Sequence, residues 1–481
     1  MANYDIPRAE YVRALPSWQL VKDCVAGSRA VKHRKEKYLP KPDPTNKSAE
    51  NEARYQALLK RAMYLNFTGR TEQGLIGTMF RKTAELNLPD AVYYLKDNAT
   101  GNGMSLEQLS KRAVSECLET GRGGFLVDYP VVRDSTEGVQ SKPASDGRSA
   151  NILFYDALSI IDWETEAVDG VEQLVYVNLQ ECISTFDPQS YTKTDVRQSR
   201  ILVMVDGEYH QRIYRDGTQV SDSVPTDFNG NAFGHITFWF FGAETNTPDI
   251  DKAPLEDLAD VNILHYGNSA TVEESGFISS QPTLFFTTDI DQAEFAKWNP
   301  NGIQVGSTTG YSLGKTGTAV LVQAEAGQLS RTLMQDKENQ MLMIGARIVQ
   351  QGGANETAEA ARIRHGSDNS ILSTIAGNVS EALMMAVLDA ERFKMPETLP
   401  DETTFWLPQE YFDEVMDAQM ILAQVQLWQQ GIIAKSDLRV NLRQAAILES
   451  DRTDKDIDAD LEKEPPVDFT GEGVTNTDKA A

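Results

Sequence analysis

The hydrophobic period of this chain changes twice, and that change constrains the fold more than any motif in it. Up to about residue 120 the apolar residues recur at three and four positions. Tyr55, Leu58, Leu59, Ala62, Met63 and Leu65 fall on one helical face, and Leu75, Ile76, Met79 and Phe80 on that of a second helix over about 69–85. From 151 to 241 the period becomes two. Short alternating or β-branched runs at 152–155, 174–179, 201–205, 210–214 and 236–241 are punctuated by Asp-Gly at 206–207 and 216–217. Asp-Gly supplies the two positive-φ residues of a tight hairpin, so this block reads as antiparallel strands. Beyond Pro254 the helical period returns. The chain is therefore predicted to be α+β.

The boundaries carry their own signals. Ser105 and Gln108 have the spacing of a capping box, and Gly121, Gly123 and Gly124 end the helix that Ser105 opens. The run FLVDYP that follows reads as a buried strand. After Pro254, Leu255, Leu258, Val261, Ile263 and Leu264 form the apolar side of a helix, and residues 282–325 return to short strands and glycine-rich turns. A helix over 327–351 comes next, then the loop QGGANET, then a longer helix over about 356–393 with Ile371, Ile375, Val379, Leu383 and Val387 four apart. Helices are expected at about 410–430 and 435–450. From 451 onward the chain is acidic and nearly without apolar residues, which predicts a disordered tail.

Composition excludes several classes. With 41% hydrophobic and 24% charged residues among 481, the chain is of globular type. Cys24, Cys117 and Cys182 are far apart and odd in number, so no disulfide framework is expected, and the five histidines show no zinc-type spacing. No metal and no cofactor is predicted. The N-terminus has no apolar core, and the longest apolar runs fall short of the ~20 residues that cross a bilayer. The expectation is a soluble protein made in the cytoplasm, without a membrane partner. Against 45 Lys+Arg stand 71 Asp+Glu, a net charge of −26. Tight nucleic-acid binding needs cations to displace counterions, so an autonomous DNA-binding module is disfavoured, whereas a conduit that DNA passes without sticking is not. The basic stretch at 29–41 reads as a solvated face or a patch that contacts a partner or phosphate.

The motifs that resemble catalysis fail on context. TGYSLGKT at 309–316 has Thr309 where a phosphate-binding loop needs its first glycine, and after Lys315 and Thr316 comes a strand-like TAVLV, not a helix whose N-terminus could hold phosphate. The serine acyl-enzyme set is mimicked by SLGK, KTG and SDN, but the first two share Lys315. No catalytic residue is assigned, and no enzyme activity is expected.

Several blocks together carry a resemblance: NFTGRTEQGLIGTMFRK at 66–82, GRGGFLVDYP at 121–130, YDALSIIDWE at 155–164, FWFFGAE at 238–244 with PLEDLADVN at 254–262, and GARIVQQGGANETAEAARIR at 345–364. In their order, and with the succession of periods, they resemble the portal proteins of tailed bacteriophages. The match looks closest to a portal-like subgroup long catalogued without an assigned function. The resemblance implies a wing over 1–250 with its β-rich part at 151–245, a first stem helix at 251–281 and a clip at 282–326. It further implies a second stem helix at 327–350, a tunnel loop at 351–357, a long wing helix at 358–404, a crown at 405–450 and the acidic tail at 451–481.

The implied role is mechanical: a ring, twelve copies by the resemblance, at one capsid vertex of the virion. Double-stranded DNA would be packaged and ejected through it without sequence specificity. Partners would be the terminase large subunit, the major capsid or scaffold protein and a head-tail adaptor. The helix at 327–350 would be about 36 Å long. Its expected apolar stripe runs through Met334, Met341, Gly345 and Ile348, flanked by Leu333, Leu342, Ile344 and Val349. The opposite face supplies the DNA-channel candidates Thr332, Asp336, Asn339, Gln340, Arg347 and Gln350, with Met343 among them. The tunnel loop would be Gln351, Gly352, Gly353, Ala354, Asn355, Glu356 and Thr357, and the docking candidates on the clip are Tyr311, Lys315 and Thr316. Two alternatives differ in class: a nucleotide hydrolase using Lys315 and Thr316, and another phage neck or tail ring protein.

Overall fold

The computed structural model describes residues 6–129, 149–168, 170–280, 283–287, 289–298, 300, 315–322, 328–349, 371–409, 425–428, 430, 432–444, 448 and 452–463. It is a mixed α+β chain in which residues 1–409 form one unit and 410–481 a second.

In the first unit, local capping sets the helices. Helices α1 (Ala9–Ala26) and α2 (Ser28–His33) meet at Gly27, whose φ of 90° suits glycine. Helix α3 (Ala49–Arg61) starts where the Ser48 hydroxyl accepts from the Asn51 N–H, and α4 (Phe67–Met79) where the Asn66 side chain accepts from the Gly69 N–H. Helix α4 stops short of its expected end near 85, because the chain becomes extended at β1 (Glu85–Asn87). Helix α5 (Leu106–Thr120) opens on the expected capping box, with Ser105 and Gln108 bonding reciprocally, and closes at Gly121 in the left-handed region at φ 80°. A Cβ at Gly121 would also lie 2.4 Å from the Asp251 carbonyl oxygen.

Strand β2 (Arg122–Asp128) runs on directly from that turn. It is the centre of a three-stranded antiparallel sheet, between β3 (Asn151–Asp156) and a strand near residue 240. Gly123 and Gly124, expected as helix terminators, are instead part of β2. The ring of Phe241 lies where a Cβ on Gly123 would be, and that of Phe238 where one on Gly124 would be. Next to them Arg122 is buried, its guanidinium 4.1 Å from the Trp163 ring and 4.8 Å from that of Phe240.

The second sheet is a five-stranded antiparallel meander of β4 (Ile160–Val168), β5 (Val171–Asp187), β6 (Thr192–Val205), β7 (Glu208–Arg215) and β8 (Thr218–Ser223), in that spatial order. Both Asp-Gly pairs sit in two-residue turns as expected: Asp206 and Gly207 have φ of 50° and 84°, Asp216 and Gly217 47° and 81°. Strand β9 (Phe238–Gly242) then completes the first sheet.

Helix α6 (Glu256–Ser279) leads to a small insertion of β10 (Thr283–Thr287), α7 (Gln292–Trp298) and β11 (Thr318–Val322), with β10 and β11 paired antiparallel. Helix α8 (Gln328–Val349) follows, and then α9 (Ile371–Lys394). Helix α9 has the length and apolar composition of a membrane span, which the sequence was expected to lack. Half of that stretch is nevertheless buried in the unit, against β9, β2 and α5. Ile375, Val379, Leu383 and Val387 are all buried, as their spacing predicts. Two buried carboxylates tie α9 to its surroundings. Asp389 accepts from Trp239 Nε1 at 2.7 Å and meets His235 Nε2 at 3.0 Å, while Glu391 accepts from the Leu399 N–H and the Thr403 hydroxyl. Strand β12 (Thr404–Trp406) pairs with β1 and closes the unit.

In the second unit residues 425–428 are helical, and α10 (Lys435–Gln444) is followed by α11 (Asp454–Lys463). Helix α11 corrects the expectation of disorder beyond 450. The segment has few apolar residues, but its aspartates meet a row of cations on α10: Lys435 and Arg439 both reach Asp458, at 2.7 and 3.1 Å, and Arg443 pairs with Asp454. Residues 464–481 lie outside the described residues.

Candidate functional site

Helices α6 and α8 pack against each other in the first unit, and each leaves apolar side chains exposed. The first half of α6 is seated in the unit. Its buried residues are Leu258, Ala259, Asn262, His265, Tyr266, Ser269 and Ala270, so the buried side is more polar than the expected one. Leu264 is 59% exposed, and Val261 and Ile263 are half-buried. The polar groups on the buried side have partners that explain the choice. Asn262 Oδ1 accepts from the Tyr64 hydroxyl at 2.8 Å and from Thr68 Oγ1 at 3.0 Å, and its Nδ2 donates to the Leu65 carbonyl at 2.9 Å. One side chain thereby fixes the start of α4 onto α6. Further along, Glu274 pairs with Arg54 and Arg61 of α3, and the Arg61 guanidinium lies over the Phe277 ring at 4.1 Å.

Helix α8 is held at three points. His265, fully buried on α6, has Nε2 3.2 Å from Glu338 Oε1, and it stands edge-on to Phe67. Met341 is buried, and Gly345 approaches α4 so closely that a Cβ there would lie 3.2 Å from Thr71 Cγ2. The covered line of α8 thus follows the expected stripe, with Met341 buried and Met334 and Gly345 half-buried, but it is narrow. Leu333 is 40% exposed and Leu342 62%, and Leu329 and Met343 are exposed as well.

Of the channel candidates, Thr332, Asp336, Asn339 and Gln340 lie exposed on α8. The helix includes Arg347, whose side chain is outside the described residues, as are Gln350 and the whole loop from Gln351 to Thr357. On the insertion, Lys315 and Thr316 are exposed immediately before β11, and Tyr311 is outside the described residues. A strand, not a helix, follows Lys315 and Thr316, which removes the N–H cradle a nucleotide phosphate would need. Among the described residues no group of three metal-ligating side chains is clustered. Sequence reasoning missed the His265–Glu338 pair and the Asn262 junction. Nothing in the local pattern of either residue gives its partner, which is 73 or about 200 positions away.

A family model described as a domain of unknown function (DUF4055) matches residues 254–393, the stretch that holds α6, the insertion, α8 and nearly all of α9. No curated protein matches the chain. Among solved structures, one chain from the virion of a native gene transfer agent particle aligns at a TM-score of 0.40 and 11% identity, over 80% of this chain and 92% of the other. A second, from the neck of an empty particle of that kind computed with C6 symmetry, gives 0.38 and 12%, with the same coverage. A third, from the neck of the native particle computed with C12 symmetry, gives 0.39 and 11%, over 78% of this chain and 89% of that one. At TM-scores this low a superposition does not establish a shared fold.

Proposed function

We propose that the chain is the subunit of a portal-type ring: a non-enzymatic conduit at one capsid vertex of a tailed phage or phage-like particle, through which double-stranded DNA is packaged and released. The sequence blocks between about 50 and 450 support this reading. The structural observation that carries it is the surface of α8. At 100° per residue, with Met334 facing the unit, Leu333 and Leu342 stand about 180° apart on the two flanks of the helix. Both are exposed. One apolar flank could serve a dimer. Two opposed flanks suit a head-to-tail contact, in which each copy offers a different side to each neighbour and the assembly closes as a ring.

Between the flanks lie Thr332, Asp336, Asn339 and Gln340, which in such a ring would face the channel with Arg347 and Gln350. In this reading the tunnel loop is Gln351–Thr357, the insertion around Lys315 and Thr316 docks the terminase and later an adaptor, and the partner at the vertex is the capsid or scaffold protein. A wall of uncharged polar and mixed-charge groups in a chain of net charge −26 would let a duplex slide without being retained.

Negative-stain electron microscopy of the purified protein, with rotational analysis of end-on views, tests the proposal. Closed rings of about twelve with a central hole wide enough for a duplex are expected by the resemblance. Particles that stay monomeric even when capsid protein is supplied would overturn it. For the channel assignment, Arg347→Glu is expected to impair DNA packaging or retention while rings still form; loss of the rings themselves would remove Arg347 from that role.

A further inference from the structure

Strand β5 outruns the sheet it belongs to. Its 17 residues span about 56 Å, and its two neighbours overlap it only in part. Strand β4 pairs with residues 171–179 and β6 with residues 176–187, so residues 176–179 alone have a strand on both sides. Strand β7 in turn joins β6 only from Ser199 onward. The sheet therefore continues as two separate hairpin arms, one at each end of β5. In the first, Thr165 to Val168 pair with Val171 to Leu174; in the second, Glu181 to Asp187 pair with Thr192 to Gln198. Among the described residues no third strand borders either arm, so their edges keep backbone N–H and C=O groups open to pairing.

The side chains of the two arms are complementary. Residues opposite each other in an antiparallel pair share a face. Near the tip of the first arm Val168 stands opposite Val171, and Glu166 lies on the same face; all three are exposed. On the second arm Phe186 stands opposite Lys193 and Cys182 opposite Arg197, with Ser184 and Asp195 between them. Phe186 is exposed, and its ring lies 6.4 Å from that of Tyr191, which is 80% exposed. Charge is sorted between the arms. The first carries Glu166 and Glu172 and no cation among its described residues. The second exposes Lys193 and Arg197, neither of which has an ion pair among the described residues. Of its acids, Glu181 is held by Arg200, and Asp187 by the Gln189 N–H and the Ser190 hydroxyl, which leaves Asp195.

We propose that the arms are the two halves of one contact between copies of this chain. The face of Phe186 and Lys193 on one copy meets the face of Val168, Val171 and Glu166 on the next. An exposed aromatic pair then covers an exposed valine pair, and a cation without a partner meets an acid without one. Because the two arms are different surfaces of the chain, the contact passes from copy to copy. This deepens the ring reading and rests on it for closure of the series.

The test is sedimentation velocity of the full chain with the charges exchanged. Glu166→Lys alone and Lys193→Glu alone should each weaken self-association about fivefold or more, with unchanged circular dichroism. The chain carrying both substitutions should associate as the natural one does, and so should an equimolar mixture of the two single variants. Unchanged association in the single variants, or a double variant no better than either, overturns the arm contact and leaves a ring built on other surfaces standing. A natural protein that is monomeric at every concentration also overturns it, since the arms are then covered within the chain or by another protein. Recovery by exchange that ends in open series, without closed rings, upholds the arm contact and removes the ring.

Discussion

Helices α8 and α9 are nearly the same length, 22 and 24 residues, and both carry regularly spaced apolar side chains, yet they are used in opposite ways. Helix α9 buries thirteen residues within its own unit, including two carboxylates. Helix α8 touches its unit along a strip marked by Met334, Met341 and Gly345 and leaves Leu329, Leu333, Leu342 and Met343 open. A stripe that repeats every fourth residue on α9 is matched by β9, β2 and α5. The wider, less regular apolar content of α8 has too little protein beside it to be matched. The comparison teaches that apolar spacing specifies burial only in proportion to the neighbours the fold supplies. What is left over on α8 is surface available to another molecule.

The contrast can be broken most directly at its strong end. Leu383→Ala on α9 removes a fully buried side chain from close packing and should cost about 2–5 kcal/mol of stability, read by urea denaturation. A loss below 1 kcal/mol, by the same principle, would mean that α9 is not the core element its burial indicates.

Helix α4, which touches both α8 and α9, should show itself in pH. Glu72, whose pKa is raised by burial from 4.5 to about 7, is favoured in its neutral form in the folded chain. The stability this gives is full below the unfolded value of 4.5 and is lost as the pH rises through about 7. The expected difference is on the order of 3 kcal/mol between the two ends of that window. It should appear as a falling melting temperature and vanish in Glu72→Gln. A melting temperature that rises over the same window would contradict the sign.

At the weak end, Leu342→Asp should change the stability of the isolated subunit by no more than about 0.5 kcal/mol, since the side chain is 62% exposed. The same substitution should lower the fraction of closed rings seen by native mass spectrometry. If it destabilises the subunit as much as Leu383→Ala does, α8 is an ordinary core helix and the proposed ring loses its main structural support.

Much of the chain was legible because its signals are local. The Ser105–Gln108 box and Gly121 bound α5, and both Asp-Gly pairs make the turns their chemistry dictates. The paired strands of the insertion, the start of α8 and the spacing of α9 follow from pattern alone, whereas α7 is a helix where only short strands and turns are expected. The misreadings share one physical cause. The helical pattern of α4 runs on toward 85, but the helix ends earlier because β1 finds its partner in β12, far along the chain. Gly123 and Gly124 have the look of helix terminators in sequence, whereas in the fold they clear space for the rings of Phe241 and Phe238. The composition of α11 predicts disorder because it lacks apolar residues, and its ion partners on α10 are not visible in its own pattern.

The sequence by itself determined the α+β order, the turns, the long helices and the absence of a recognisable catalytic motif, since periodicity, capping and turn chemistry act over a few residues. Only the tertiary structure decided which face of each long helix is covered. It buries Asn262 and His265 on α6 in preference to Leu264, because Tyr64, Thr68 and Glu338 arrive from distant segments to pair with them. It also gathers Lys22, Glu72, Glu116 and Glu119 into one cluster. Burial of a polar group depends on whether a partner is present in space, and that is a property of the fold, not of neighbouring residues.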